Sequence, residues 1–130
     1  MTGVQTCALP ISELGLTLPP VAKPLAAYTP AITVGNQVWV SGQLPLRDGK
    51  LIATGRLGDA VEPAEGAEAA KVAALNALAA VADQAGGLDN VARILKAVVF
   101  VASTTDFTAQ PQVANGASEL LSIEDRKSVV

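Results

Sequence analysis

The stretch from Pro63 to Ala85, dominated by alanine and closed by Gly86-Gly87, constrains this chain more than any other feature. Pro63 suits the first position of a helix, where a missing N–H leaves nothing unsatisfied. Glu65 and Glu68 put negative charge near the positive end of the helix dipole. Val72, Leu75, Leu78 and Val81 then recur at every third residue, which gives a broad apolar face rather than a narrow stripe. Small alanine side chains let such a helix approach its neighbours closely. The glycine pair supplies the left-handed cap that ends it. A helix of this length with one broad apolar side must be packed on something, and the flanking sequence shows what.

Before the helix the signals are those of strands. Pro19, Pro20, Pro24 and Pro30 make residues 12–30 an extended lead-in. Gly35-Asn36 separates Ala31-Ile32-Thr33-Val34 from Gln37-Val38-Trp39-Val40-Ser41, a two-residue hairpin signal. Asp48-Gly49 separates Gln43-Leu44-Pro45-Leu46 from Lys50-Leu51-Ile52-Ala53-Thr54, and Asp-Gly favours a type I′ turn. The two signals predict a three-stranded antiparallel meander, with a bulge or strand edge at Pro45. After the helix, Val91 to Ala102 is an apolar stretch broken by Arg93 and Lys96, which reads as a central strand covered on both faces. Strand, helix, strand implies a right-handed crossover onto one sheet. Asp106-Phe107 begins a turn. Pro111 is placed at the first position of a second helix ending near Leu121, with Val113, Ala117, Leu120 and Leu121 on its apolar side. A further strand would normally follow.

Composition removes whole classes of chemistry. The chain has 130 residues, 9 basic and 12 acidic side chains, a net charge of −3, one Cys and no His. That length suits one domain, and the acidic balance argues against a nucleic-acid binder, which needs clustered Lys and Arg. Without His or a second Cys there is no Ser-His-Asp or Cys-His catalysis, no zinc site and no disulfide framework. No stretch approaches the ~20 apolar residues of a membrane span, and no secretory signal is visible, so no membrane partner and a cytoplasmic location are expected.

Both ends stand apart. Thr2 to Ile11 resembles a translated sequencing-library adapter, and Asp125 to Val130 resembles the adapter at the other end. Residues 1–11 and 125–130 are therefore read as artefacts and residues 12–124 as a single domain that stops before its gene does. Cys7 falls in the first of these stretches and has no basic neighbour to activate its thiol.

The stretch Tyr28-Thr29-Pro30-Ala31-Ile32-Thr33-Val34-Gly35-Asn36-Gln37-Val38-Trp39-Val40-Ser41-Gly42-Gln43-Leu44-Pro45 resembles the RidA (YjgF) family of enamine and imine deaminases, also known as the endoribonuclease L-PSP family. The resemblance runs from about Leu14 to Leu121 and includes Ala74-Leu75-Asn76-Ala77-Leu78, Gly86 to Val91, Val99-Phe100-Val101 and Asp106-Phe107. It implies an α+β, chorismate-mutase-like fold of order β-β-β-α-β-α with the final strand missing, and two helices packed on one face of a mixed sheet. It also implies a homotrimer with ligand clefts between subunits, hydrolysing small 2-imino acids to keto acids and ammonia without metal or organic cofactor.

In that family an Arg on a late strand binds the substrate carboxylate, where its planar fork offers two parallel hydrogen bonds, and a carboxyl group orders the attacking water. Both belong to the region after the second helix. Arg126 lacks the surrounding sequence to replace the Arg, so this chain is expected to be inactive. Non-catalytic binding of small carboxylates on the same fold is the alternative, and Pro111, where many members have Asn, fits it.

The family's site positions that can be matched are Tyr28, Ser41 and Gly42 as substrate-binding residues; the catalytic ones stay unassigned. Each also has a plain structural reading. Tyr28 could anchor the lead-in, Ser41 could bond backbone, and Gly42 could mark a bulge. Gln43 is read as structural and Asn76 as a satisfied buried amide at helix packing. Trp39 points to the face opposite Val38 and Val40, towards a subunit interface. Ser103-Thr104-Thr105 forms a turn, since no base is present to activate a nucleophile.

Overall fold

The computed structural model of the chain describes residues 16–22 and 27–125. Two antiparallel ribbons come first. Strands β1 (Ala31–Val34) and β2 (Gln37–Val40) pair with Ile32 opposite Trp39 and Thr33 opposite Val38. Gly35 joins them at φ 60° while Asn36 keeps an ordinary φ, the pattern of a type II′ turn. Strands β3 (Leu46–Arg47) and β4 (Lys50–Leu51) pair across Asp48-Gly49. Both of those turn residues have positive φ, 55° and 79°, so the type I′ expectation holds.

The long helix α1 spans Pro63–Ala85. Pro63 is its first residue, and the N–H of Glu62 donates to the Glu65 carboxylate at 3.1 Å. Gly86 closes it at φ 80°, and Asn90 Nδ2 donates to the Ala85 carbonyl at 2.7 Å. A short 3-10 turn, Leu88–Asn90, leads into the extended segment 91–102. The second helix, α2, runs from Gln110 to Asp125. It continues past Leu121 because Ser122 to Asp125 contain no Gly or Pro to stop it.

The core lies between the two helices and the inner side of 91–101. Ala74 and Leu78 of α1, Leu88, and Ala117 and Leu120 of α2 are buried together, with Val91, Ile94 and Val99 packed on them. A second cluster joins Leu57, Val61 and Val113, flanked by Val101 and Phe107. Where the helices cross, a Cβ on Gly116 would lie 1.9 Å from the Ala67 carbonyl oxygen, and one on Gly66 would press on Leu57 and Val113. Only hydrogen fits at that crossing. Among the described residues, no helix is long and apolar enough to cross a membrane.

The α+β class and the two-helix, ribbon-and-strand order are as expected, but two details differ. The meander is not one sheet: β1-β2 and β3-β4 form separate two-stranded sheets. Pro45 explains the break, as it lies at the centre of a three-residue turn closed by the Leu46 N–H and the Leu44 carbonyl at 2.8 Å. Asn76 then takes the Leu44 and Leu46 carbonyls at 2.9 and 3.0 Å, turning them towards α1 and away from a neighbouring strand.

The second difference is the segment 91–102, which is extended but not laddered. Among the described residues its pairing is limited to a parallel bridge just past its end, at Ser103, where the Leu57 N–H donates to the Ala102 carbonyl and the Thr104 N–H to the Leu57 carbonyl, both at 2.9 Å. The strand covered on both faces, and the mixed sheet it would complete, are therefore absent among the described residues. A strand exists by virtue of its partner's hydrogen bonds, and no described segment forms backbone hydrogen bonds with residues 95–101.

Candidate functional site

The residues matched to a ligand site lie where the lead-in meets the end of β2. The register of the ribbon places Ala31 opposite Val40, and the pairing continues one step beyond it. There the N–H of Ser41 donates to the Pro30 carbonyl at 2.9 Å. The Ser41 hydroxyl donates to the same oxygen at 3.0 Å. Ser41 thus clamps the segment carrying Tyr28 against β2, so its plain reading, bonding to backbone, is correct. Its hydroxyl proton is committed, and only its lone pairs remain to meet anything else. Gln43 Nε2 reaches back to the Ser41 carbonyl at 3.4 Å, in keeping with a structural role.

Gly42 follows directly. It is exposed, does not have positive φ, and a Cβ built on it would meet no protein atom within 4 Å. Neither backbone strain nor crowding within the subunit demands glycine here. Tyr28 is 44% exposed, and its hydroxyl has no partner among the described residues. The structure thus brings the Tyr28 segment and Ser41-Gly42 to one end of the β1-β2 ribbon.

The two faces of that ribbon are unlike. Thr33 faces α1 and donates to Gln84 Oε1 at 2.6 Å, while Val38 and Val40 are half-buried. On the other face Ile32, Val34 and Trp39 are exposed. The alternation placing Trp39 opposite Val38 and Val40 therefore holds.

Asn76 is the one buried polar residue among those described, at 2% exposure. The amide nitrogen is satisfied, as read, but its partners are the carbonyls of the Leu44–Leu46 turn and not another helix. Through them α1 fixes where the chain goes after Gly42. Its partners could not be read from sequence, whose signal was one polar residue on an apolar face. Ser103 to Thr105 form part of a turn: Gln110 Nε2 donates to Ser103 Oγ at 3.1 Å and to the Phe107 carbonyl at 2.8 Å. Pro111 is the second residue of α2 and not the first, a shift the first turn tolerates because its N–H groups have no partner within the helix. Arg47 pairs with Glu68 at 3.2 Å across an exposed surface, an arrangement worth little in water. Cys7 and Arg126 lie outside the described residues.

Comparison with known proteins agrees with this architecture. Residues 10–125 match the family described as "YjgF/chorismate mutase-like, putative endoribonuclease". Protein TCP17 of Trypanosoma cruzi is 41% identical over 111 residues, which cover 85% of this chain and 69% of that protein. A protein of unknown function from Agrobacterium tumefaciens superposes with a TM-score of 0.81 at 37% identity, over 94% of this chain and 74% of its own. One from Shewanella oneidensis, described as a "putative endoribonuclease", superposes with a TM-score of 0.83 at 32% identity, over 95% of this chain and 82% of its own. With the ribbon, the glycine-closed helix and the helix crossing all in place, the chain belongs to the YjgF/chorismate-mutase-like family.

Proposed function

We propose that the intact protein is a cytoplasmic homotrimer that hydrolyses small enamines and 2-imino acids to keto acids and ammonia, and that this 130-residue chain alone does not turn over. The observation that carries the reading is Gly42, a solvent-facing glycine with no internal reason to be glycine. A missing Cβ is useful where a ligand or a neighbouring subunit must approach the backbone closely. Beside it, Ser41 holds the backbone rigid and Tyr28 offers an unpartnered hydroxyl. The exposed Ile32, Val34 and Trp39 face of the ribbon supplies an apolar surface for a neighbouring subunit.

A small carboxylate substrate needs a cationic fork. Arg47, Arg56 and Arg93 all lie outside the 28–43 segment that carries Tyr28, Ser41 and Gly42. A hydrogen bond to a charged group contributes about 1.5–3 kcal/mol, so its lack weakens substrate binding roughly ten- to hundredfold. RNA cleavage, which the description of the Shewanella protein suggests, suits this chain poorly. It has no His for general-base work, and its acidic residues outnumber its basic ones, 12 to 9.

The test is keto acid release from an imine generated in situ. The parent protein with its native continuation should release it and the 130-residue chain should not. A silent parent, or an active chain, overturns the proposal. Pro111 at the head of α2 favours one second reading, a small-carboxylate binder without turnover. Thermal stabilisation of the parent by small carboxylates, with no product, would select it.

A further inference from the structure

We propose that the Asp48-Gly49 turn is a site of spontaneous backbone modification, at which Asp48 converts to isoaspartate in the folded chain. Asn115-Gly116, chemically the more reactive pair, is held inert by its place in α2. These are the two positions of the sequence where Asp or Asn precedes glycine. Glycine opens this reaction because, without a Cβ, its backbone nitrogen swings onto the preceding side chain unhindered.

At Asp48 the Gly49 nitrogen attacks Cγ of the neutral side-chain carboxyl. An N–Cγ bond forms, and the carboxyl hydroxyl leaves as water with the proton of the nitrogen. Water then opens the cyclic imide. Cleavage of the new N–Cγ bond restores aspartate. Cleavage of the bond to the main-chain carbonyl carbon leaves the chain running through Cγ, as isoaspartate. Asparagine follows the same route with ammonia as the leaving group, and water is the sole co-reactant in both.

The fold treats the two pairs in opposite ways. Asp48 and Gly49 are exposed, and a Cβ on Gly49 would meet nothing within 4 Å. Among the described residues the Gly49 N–H has no acceptor, and the Asp48 carboxylate has no hydrogen bond or ion pair. Ring closure requires the turn to open, and little resists this. The ribbon has two cross-strand pairs, Leu46 with Leu51 and Arg47 with Lys50, too few to hold it shut independently of the core. Opening also releases Asp48 from φ 55°, a left-handed conformation unfavourable to any residue with a Cβ.

Asn115 is just as exposed, but it lies inside α2. There the Gly116 N–H belongs to the helical hydrogen-bond ladder and points along the axis, away from the Asn115 side chain. Gly116 also rests on the Ala67 carbonyl where the helices cross, between the buried Val113 and Ala117. An imide can form at Asn115 only if this part of α2 unwinds and the crossing separates. Exposure of the side chain is therefore not what distinguishes the two sites; freedom of the following nitrogen is.

The experiment uses the full 130-residue chain and its Asp48→Asn variant. Asn-Gly favours the same type I′ turn, so the variant keeps the ribbon and carries one reactive dipeptide in two settings. Both proteins are aged for weeks in native buffer and cleaved into peptides, whose masses are measured. Isoaspartate is read as methyl groups accepted from S-adenosylmethionine through a purified isoaspartyl methyltransferase. In the unaltered chain, methyl acceptance should build up in the Asp48 peptide without a change of its mass, while the Asn115 peptide keeps its amide. In the variant, the amide at position 48 should be lost at least about tenfold faster than that of Asn115, since the turn opens far more often than the helix. In urea the two amides should be lost at similar rates, because both then lie in an open chain. An Asp48 peptide that accepts no methyl, an Asn115 amide lost as fast as that at position 48 under native conditions, or a rate difference that survives urea would each overturn the proposal.

Discussion

At the scale of single residues, this fold depends on two positions where chemistry and space leave no choice. Asn76 is buried and gives its amide hydrogens to the Leu44 and Leu46 carbonyls. Asn76→Ala leaves the part-buried Leu46 carbonyl without that partner and opens a small cavity. We expect a loss of about 1–3 kcal/mol in urea unfolding, the usual cost of an unsatisfied buried group. A loss below a few tenths would mean that water replaces the amide. Gly116 is limited by space. With the Ala67 oxygen 1.9 Å from the site of a Cβ, Gly116→Ala must push the helices apart. The expected cost is about 1–3 kcal/mol, that of overpacking, even though Ala is the better helix former. A stabilising Gly116→Ala would show that the helices do not cross there. Asn76 was legible as a buried amide from its place on an apolar face. The crossing at Gly116 was not, because a glycine in a helix looks the same in sequence whether or not a second helix presses on it.

At the scale of elements, the turns and caps behave as local chemistry requires. Asp48 and Gly49 both have positive φ, so β3-β4 hangs on a turn that favours Gly at its second central residue. Gly49→Val should cost about 1–2 kcal/mol from the left-handed penalty alone. Thermal melts would register this as a lower midpoint, and an unchanged midpoint would mean that the small ribbon does not melt with the body. The same reasoning made Gly86 readable as the stop of α1. It could not reveal that the meander divides, since that depends on the turn at Pro45, whose flanking Leu44 and Leu46 carbonyls are held by Asn76 of α1, far along the chain. Nor did it foresee the extension of α2 past Leu121 to Asp125, across residues that contain no Gly or Pro.

At the scale of the whole molecule, apolar surface is left in water. Ile32, Val34 and Trp39 on the ribbon, and Leu95, Val98 and Phe100 on the extended segment, are all more than half exposed. A small domain hides only about 60–70% of its unfolded surface at best, so such exposure leaves a thin margin of stability. The chain should bind a hydrophobic dye under native conditions and melt over a broad range at low temperature. A sharp, high-temperature transition without dye binding would contradict this. Trp39 is the only tryptophan, so its emission should lie near that of solvated indole in dilute solution. A blue emission at the lowest concentrations would mean that the ribbon face is already covered.

Local rules made much of this protein readable in advance. Helix α1 announced itself through Pro63, its alanines and Gly86, and the hairpins through Gly35-Asn36 and Asp48-Gly49, because caps and turns are chosen by a few neighbouring residues acting on backbone torsions. The inward set Val113, Ala117 and Leu120 followed from helical spacing for the same reason. What lay beyond such reading was every feature that needs two distant segments at once. Ser41 bonding to Pro30, Asn76 holding the Leu44–Leu46 turn and Gly116 resting on Ala67 are of this kind. The bareness of 97–101 is another. An apolar, β-branched run is a strand in propensity, but its hydrogen bonds belong to whichever segment comes to lie beside it, and proximity in space is a property of the folded chain.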